Sequence, residues 1–304
     1  MFNAWPGAMA ARVSDRLGAG TRAAPRDALI ASSVDEQYKG KAFGLEGIGD
    51  NLGAFLGPLL TVLLFFMLKV GIRYIFYLAI IPGLLAVVTI LLVRERKVET
   101  KSQSKADLHI RNFPKAYWKY LIVTALFGIG NSSNSFLILQ IKNEGFSLLN
   151  TVLVYAFFNL AAALISYPAG SLSDRFGRKP ILFISFLIFM ISYIGFAFVK
   201  NLPVMGFLFV FYGLFQGIFR AVGKTFAADF VSQNLRASSI GWYSTVVGLS
   251  GLFASIVAGL LWDHISHASV FIYGAGFAFI GAVSLLILIP QKHPNDFRSM
   301  GNQP

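Results

Sequence analysis

Residues 168–182 read PAGSLSDRFGRKPIL and interrupt two long apolar runs with a short charged segment. Its charged side chains lie close together: Asp174, Arg175, Arg178 and Lys179. Gly170 and Gly177 lie on either side, and glycine permits both a sharp turn and a close approach between helices. A basic turn between apolar runs is typical of a loop at a membrane surface, where lysine and arginine face anionic headgroups. Asp174 is expected to cap the helix that follows, because a carboxylate is favourable at the N-terminal end of a helix.

The composition around this segment predicts an all-α polytopic membrane protein. Of the 304 residues, 56% are hydrophobic and 13% are charged, whereas soluble domains contain about 25% charged residues. The mean hydropathy is +0.65. The sequence contains no cysteine, which excludes disulfides and thiolate metal sites, and its histidines show no zinc-like spacing. Phosphate-binding glycine loops and nucleophilic serine motifs are also missing from the sequence, so we expect no cofactor and no enzyme activity.

The length of the apolar segments predicts nine membrane spans. A bilayer core about 30 Å thick needs about 20 helical residues. Eight segments satisfy this requirement comfortably: 43–68, 71–93, 118–140, 150–170, 180–199, 204–231, 239–262 and 268–290. A ninth span is predicted over residues 5–33, although arginines and aspartates interrupt it. Its support is a weak internal repeat, which aligns Gly20 with Gly217 and thereby places this segment on the apolar segment 204–231.

Lysine and arginine outside the spans are concentrated in alternate connections, and this predicts the orientation. The basic connections are 34–42, 94–117, 171–179, 232–238 and the tail from 291. The connections with few basic residues are 69–73, 141–149, 200–203 and 263–267. The basic set is therefore predicted to be cytoplasmic, with the N-terminus outside and the C-terminus inside. This distribution accounts for the net charge of +12 without a nucleic-acid partner.

One connection, residues 94–117, is much longer and more polar than the others. It separates a group of three predicted spans from a group of six. We therefore expect four parts: a partial N-terminal bundle over 1–93, a central cytoplasmic loop over 94–117, a six-helix bundle over 118–290 and a cytoplasmic tail over 291–304.

The charged segment also carries a family resemblance. Residues 170–179, here called the signature loop, resemble the signature loop of the major facilitator superfamily at Gly170, Leu172, Asp174, Arg175, Gly177, Arg178 and Lys179. Residues 15–34, DRLGAGTRAAPRDALIASSV, resemble the fourth helix of a bacterial branch of that family, with Ala19 in place of the usual lysine. The segments NSSNSFLILQ and ASIVAGLLWD resemble its seventh and eleventh helices.

This resemblance implies twelve helices in two six-helix halves around a central cavity, of which the chain would supply helices four to twelve and lack one to three. It implies a secondary transporter that moves a small solute by alternating access, with proton-coupled efflux or antiport. The alternative is a non-transporting truncated fragment or a membrane scaffold. Expected partners are the lipid bilayer, a small-molecule substrate and protons, and we expect a monomer in the bacterial inner (plasma) membrane.

In that family the signature loop is implied to act as a latch at the cytoplasmic side. Carried over to this chain, the latch would hold the loop against the helix at 43–68, with Asp174, Arg175 and Arg178 as its pairing residues. The full set of predicted gating residues is Gly170, Asp174, Arg175, Gly177, Arg178 and Lys179.

Ionisable residues inside the spans are candidates for coupling or solute contact, because a charge in the bilayer is costly unless it is paired or hydrated. The candidates in the N-terminal part are Arg16, Arg22, Arg26, Asp27, Glu46 and Asp50. Arg16 matches the arginine of the family's fourth helix that is implicated in proton coupling. Equal depth from the turn near residue 36 predicts two ion pairs between helices, Arg26 with Glu46 and Arg22 with Asp50. Pairing that only lets the helix insert is an equally good interpretation.

Further polar residues are predicted to line the cavity: Asn131, Asn134, Asn159, Gln216, Arg220 and Lys224. The alternative for the amides is hydrogen bonding between helices. The excess of cations favours anionic or amphipathic solutes over cations. In the helix at 43–68, Gly53, Gly57 and Pro58 match half of an element associated with antiporters, and close helix packing explains them equally well.

Overall fold

The computed structural model describes residues 7, 10, 14, 18, 21–23, 25–27, 29–31, 33–92, 113–232 and 235–290. From residue 39 onwards, ten α-helices follow one another in these ranges. They are α1 (Lys39–Val62), α2 (Ile72–Leu78), α3 (Ile80–Leu92), α4 (Lys115–Gly130), α5 (Ser135–Asn143), α6 (Leu148–Phe176), α7 (Arg178–Phe198), α8 (Leu202–Asp229), α9 (Arg236–His264) and α10 (His267–Leu288). The all-α fold class is confirmed, since the ranges given above contain helices and no strand.

Eight helical stretches in this part of the chain are long and apolar enough to cross a membrane. They correspond to the eight comfortable spans of the sequence, with α2 joined to α3 and α4 joined to α5. About half of the ninth predicted span, 5–33, lies outside the described residues, and those that are described in it are helical. The chain is a multi-pass membrane protein.

The predicted span 118–140 is present as the stretch Lys115–Asn143, but its helix is interrupted. α4 ends at Gly130 and α5 begins at Ser135, and residues 131–134 between them read NSSN. Short polar side chains compete with the helical backbone for hydrogen bonds. Here the Ser133 backbone N–H donates to Ser255 Oγ of α9 at 3.1 Å. In a continuous helix this N–H would instead donate to the backbone carbonyl four residues earlier.

Aromatic side chains form the core of the bundle made by α4 to α10. Phe127 of α4 stacks on Phe186 of α7 with ring centroids 4.1 Å apart, and Phe189 stacks on Tyr193 at 3.9 Å. All four are buried. Offset and edge-to-face aromatic pairs contribute about 0.5–1.5 kcal/mol each beyond their burial. By contrast, none of residues 72–89 in α2 and α3 is buried.

α1 lies against α6 and α8, and glycines allow its backbone to approach α6 closely. A Cβ atom built at Gly44 would lie 2.6 Å from the carbonyl oxygen of Ser166, and one at Gly47 would lie 2.9 Å from the Ser166 hydroxyl. A Cβ atom at Gly170 would overlap the carbonyl group of Gly40. The first glycine of the signature loop therefore permits a backbone contact between α6 and α1, as its close-approach role predicts.

α6 and α7 are joined at Gly177, whose φ of +95° is disfavoured for residues with a side chain. This single-residue turn brings Asp174 and Arg178 to the same end of the bundle as the start of α1. α1 begins four residues before the predicted 43 because Lys39, Gly40 and Lys41 find partners at that end.

Candidate functional site

The first part of the site is a contact between Asp174 and the N-terminus of α1. Asp174 Oδ1 accepts a hydrogen bond from the Gly40 backbone N–H, and Oδ2 accepts one from the Lys41 N–H, both at 2.9 Å. The first backbone N–H groups of a helix have no partner within the helix and carry its positive dipole end. The expectation that Asp174 caps the following helix is therefore wrong. Asp174 caps α1, whereas no side chain caps α7.

Arg178 holds Asp174 in place from the first position of α7. Its guanidinium lies 2.5 Å from Asp174 and 2.9 Å from Asp229 at the end of α8, and it also donates to Ser173 Oγ. The Arg178 side chain is only 7% exposed. The sequence does not single out Asp229, because one acid at the end of an apolar run carries no motif; its position as the last residue of α8, beside a basic connection, is the one available signal.

Lys39 completes this arrangement from the side of α1. Its side chain is 1% exposed, and its Nζ lies 3.6 Å from Asp229 Oδ1. We call Lys39, Asp174, Arg178 and Asp229, together with the two backbone N–H groups, the latch. Two carboxylates and two cations make it neutral, so it can be buried between α1 on one side and α6, α7 and α8 on the other.

Two basic residues of the signature loop have other partners. Arg175 is exposed and lies over the ring of Phe176, 5.3 Å from its centroid, and it makes no ion pair within the described ranges. Lys179 Nζ donates to the carbonyl oxygens of Leu286 and Ile289, at 3.1 and 2.5 Å. Lys179 thus caps the C-terminal end of α10. Within the described residues, neither side chain forms a hydrogen bond or an ion pair with α1.

The second part of the site is a set of charges deeper in the span. We call it the ion-pair network, and its members are Arg26, Asp27, Glu46, Asp50, Arg220 and Lys224. Lys224 lies 2.7 Å from Asp27, Arg220 lies 3.2 Å from Glu46, and Arg26 lies 3.5 Å from Asp50. Arg26 also contacts Glu46, and Arg220 contacts Asp50. Three acids and three bases therefore balance one another.

This network tests the two ion pairs that the sequence predicts. The pair of Arg26 with Glu46 is confirmed. The pair of Arg22 with Asp50 is wrong, because Asp50 is bound by Arg26 and Arg220, and the exposed Arg22 has no ionic partner among the placed residues. The prediction considered two helices, whereas α8 adds a third with its own cations. Arg16 lies outside the described residues.

Exposure increases along the network away from the latch. The side chains of Asp27 and Glu46 are 1% and 7% exposed, whereas those of Arg220 and Asp50 are 30% and 38% exposed. Asp50 lies eleven residues into α1, which places it about 16 Å from the latch and near mid-span. Glu46 Oε2 is buried and lacks a hydrogen-bond partner within the part of the chain that the structure covers. The network is thus closed towards the latch and accessible towards the middle of the span.

Only two of the six polar residues predicted to line the cavity lie at this site. Arg220 and Lys224 join the network, but Asn134 accepts a hydrogen bond from the Tyr212 hydroxyl at 2.8 Å, and Asn159 donates to the carbonyl of Tyr155 in its own helix. Gln216 and Asn131 are half-buried. None of these four amides forms a hydrogen bond with the network as far as the chain is described. Their contact with a solute stays a prediction.

The two glycines of the half-matched antiporter element, Gly53 and Gly57, have no close neighbour among the described residues. A Cβ atom at Gly53 or Gly57 would meet none of the placed atoms within 4 Å, and Pro58 lies within α1 one turn before its π-helical end, Leu63–Met67. The packing role of these residues stays a prediction. Across the described ranges, no group of histidine, cysteine, aspartate and glutamate could hold a metal ion.

The sequence also matches known proteins. The family model of the Major Facilitator Superfamily matches residues 1–166 and 120–302. An uncharacterized MFS-type transporter of Methanocaldococcus jannaschii is 33% identical over 294 residues, which are 95% of this chain and 73% of that protein. A probable 4-methylmuconolactone transporter of Cupriavidus pinatubonensis is 27% identical over 308 residues, 96% of this chain and 71% of that protein.

A third relative matches a shorter region. The multi-drug resistance efflux pump PmrA of Streptococcus pneumoniae is 30% identical over 132 residues, which are 43% of this chain and 33% of the pump. The family match extends over nearly the whole chain, and the eight membrane-length helices agree with it. The chain therefore belongs to the Major Facilitator Superfamily, a family of membrane transporters rather than enzymes.

Proposed function

We propose that the protein is a secondary active transporter that moves a small solute across the membrane by alternating access. The observation that carries this proposal is the latch, because Asp174 binds α1 through two backbone hydrogen bonds that can break and re-form. We propose that this interface alternates between two arrangements, closed and open, as a gate requires. The transporter names of the relatives support the same function.

The latch is proposed to close the cytoplasmic end of the solute path. The signature loop belongs to the basic set of connections, which the positive-inside rule assigns to the cytoplasm. Opening at this end would separate α1 from α6 and α8 and would leave the opposite end closed. We place the protein in the inner membrane as a monomer, with residues 1–93 and 118–290 as the two bodies that move and with 94–117 as the cytoplasmic loop and 291–304 as the cytoplasmic tail.

Proton coupling is proposed for the ion-pair network. Asp27, Glu46 and Asp50 are carboxylates within or beside a span, where ionisable groups mark proton and solute paths. The family resemblance adds Arg16 and suggests efflux or antiport, and the efflux pump among the relatives supports that direction. The probable 4-methylmuconolactone transporter among the relatives supports a small organic solute.

Flux measurements in proteoliposomes test the proposal. The full chain is reconstituted with a pH-sensitive dye inside, and a panel of organic solutes is added outside. We expect some solutes to cause a pH change that is abolished by Asp50→Asn and retained in the matched control Arg175→Gln, whose side chain is exposed and outside both parts of the site. If no solute crosses, or if solute-linked proton movement persists in Asp50→Asn, the proposal is refuted.

A further inference from the structure

We propose that the first turns of α4 and α9 form a binding site for the headgroup of an anionic phospholipid. Both helices follow connections of the basic set, 94–117 and 232–238, which the positive-inside rule assigns to the cytoplasmic side. Anionic lipids give that surface of the membrane its negative potential. The site is separate from the latch and from the ion-pair network, and it requires no transported solute.

The first argument is that two positive charges of α4 have no counter-charge in the described part of the chain. Lys115 is the first residue of α4 and Lys119 lies one turn further on, so the two exposed side chains share a face. Neither forms an ion pair, a hydrogen bond or a ring contact with any residue that the structure describes. The first turn of α4 contains no acid. Like charges at this spacing repel, and cations at the positive end of a helix are unfavourable, so an anion from outside the chain would stabilise this end.

The second argument is that α9 begins with a cation beside the start of α4. The Tyr117 hydroxyl donates to the backbone carbonyl of Ser239 at 2.7 Å, and this bond holds the first turns of the two helices together. α9 begins at Arg236, and its first turn also contains no acid. Two helices that start side by side with cations and without acids present a phosphate group with a positive potential from both sides.

The third argument is that the lysine face of α4 becomes apolar within one turn. Ile122 follows Lys119 on this face and is 52% exposed. Trp118, beside the lysines, packs in T-shaped geometry against Phe113 and Tyr117, with ring centroids 6.3 and 6.2 Å apart. Tryptophan is enriched at the level of lipid headgroups. A phospholipid carries a phosphate above apolar chains in the same order, whereas a free phosphate has no counterpart to the apolar part. The face therefore fits a lipid.

Other basic residues at this end of the bundle already have partners. Lys179 donates to the carbonyl oxygens of Leu286 and Ile289. Arg178 pairs with Asp229 in the latch. The two lysines of α4 are therefore the groups on which recognition of a headgroup should depend.

Thermal unfolding of the full chain in an uncharged detergent tests the site. The probes are dioleoylphosphatidylglycerol, the zwitterionic dioleoylphosphatidylcholine with the same acyl chains, and glycerol 1-phosphate, which is the anionic group without the chains. We expect phosphatidylglycerol alone to raise the melting temperature. Its half-saturating concentration should increase about fivefold in Lys115→Gln and in Lys119→Gln, and about twentyfold to thirtyfold in the double variant.

Two control variants separate a loss of charge from a loss of structure. Lys142→Gln removes an exposed lysine at the opposite end of the same span and should leave the half-saturating concentration unchanged. The double variant Lys115→Arg with Lys119→Arg keeps both charges and should bind phosphatidylglycerol as the parent does. The melting temperature without lipid shows that each variant is folded. Native mass spectrometry should show phosphatidylglycerol retained by the parent and by both controls, and lost from the double glutamine variant.

Four results would overturn the proposal. Equal stabilisation by phosphatidylcholine would mean that the headgroup charge is not recognised. Equal stabilisation by glycerol 1-phosphate would mean that the site takes a free phosphate rather than a lipid. An unchanged response in the double glutamine variant would place the lipid elsewhere, and an equal loss in Lys142→Gln would reduce the effect to net charge. None of these results depends on solute flux, so the lipid site and the transport function can fail separately.

Discussion

Replacement of Asp174 by asparagine is the most direct test of the latch. Asparagine has nearly the same shape but only one acceptor oxygen, so its amide nitrogen must face one of the two N–H groups of α1. One of the two 2.9 Å hydrogen bonds, from Gly40 or Lys41, is thereby lost. The negative charge at the positive end of α1 disappears as well.

The size of the effect follows from these two losses. A hydrogen bond to a charged group contributes about 1.5–3 kcal/mol, and a charge at a helix N-terminus contributes about 0.5–1 kcal/mol. Asp174 is only 6% exposed, so solvent screening reduces these values little. The closed arrangement should therefore be destabilised by about 2–4 kcal/mol, which is roughly a thirtyfold to several-hundredfold increase in the open population.

A single cysteine measures that population, because the chain has none of its own. Ser166 of α6 is fully buried against α1. A cysteine at this position is therefore protected from maleimide while the interface is closed. When opening and closing are fast relative to labelling, the labelling rate in nanodiscs is proportional to the open population. The rate should rise by the factor given above in Asp174→Asn.

Arg175→Gln is the matched control, since it changes a charge in the same loop but touches neither α1 nor the latch. Its labelling rate should equal that of the parent. The reasoning is refuted if Asp174→Asn labels at the parental rate, or if both variants label faster to the same extent.

Three further substitutions test other parts of the fold. Gly170→Ala places a methyl group against the carbonyl of Gly40 and should lower the free energy of unfolding by about 1–3 kcal/mol, measured as a lower melting temperature. The control Gly241→Ala should leave the melting temperature unchanged, because no described atom lies within 4 Å of its added methyl group. Phe127→Ala removes the centre of the aromatic core and should cost about 3–5 kcal/mol in chemical denaturation. Asp229→Asn removes a charge that two buried cations share, so the Ser166→Cys reporter should label at least tenfold faster; an unchanged rate would contradict its place in the latch.

Hydrophobic length and charge are sufficient to predict much of this molecule. Eight spans and the position of the signature loop follow from the sequence, because the bilayer imposes a fixed length on apolar helices and a charged turn between them. The pair of Arg26 with Glu46 follows as well, since helices joined by a short turn keep residues of equal depth together.

Contacts between helices that are distant in sequence are harder to predict. The backbone groups of α1 that Asp174 binds lie more than 130 residues away, and the local rule for capping pointed to the wrong helix. Asp229 and Lys39 are recognisable only when the ends of α1, α7 and α8 are known to meet. The glycines of KGKAFGLEG, residues 39–47, are the local signal in the sequence for this close packing.

The way in which α1 is held has a consequence for how the protein can vary. Asp174 binds backbone N–H groups of α1. Substitution at positions 40 and 41 cannot remove these groups unless the new residue is proline, which has no N–H. A genetic search for changes that restore growth to an Asp174 mutant should therefore recover substitutions at Lys39 or in α6, α7 and α8 rather than at position 41. The strength of closure is adjusted by the side chains around this main-chain contact.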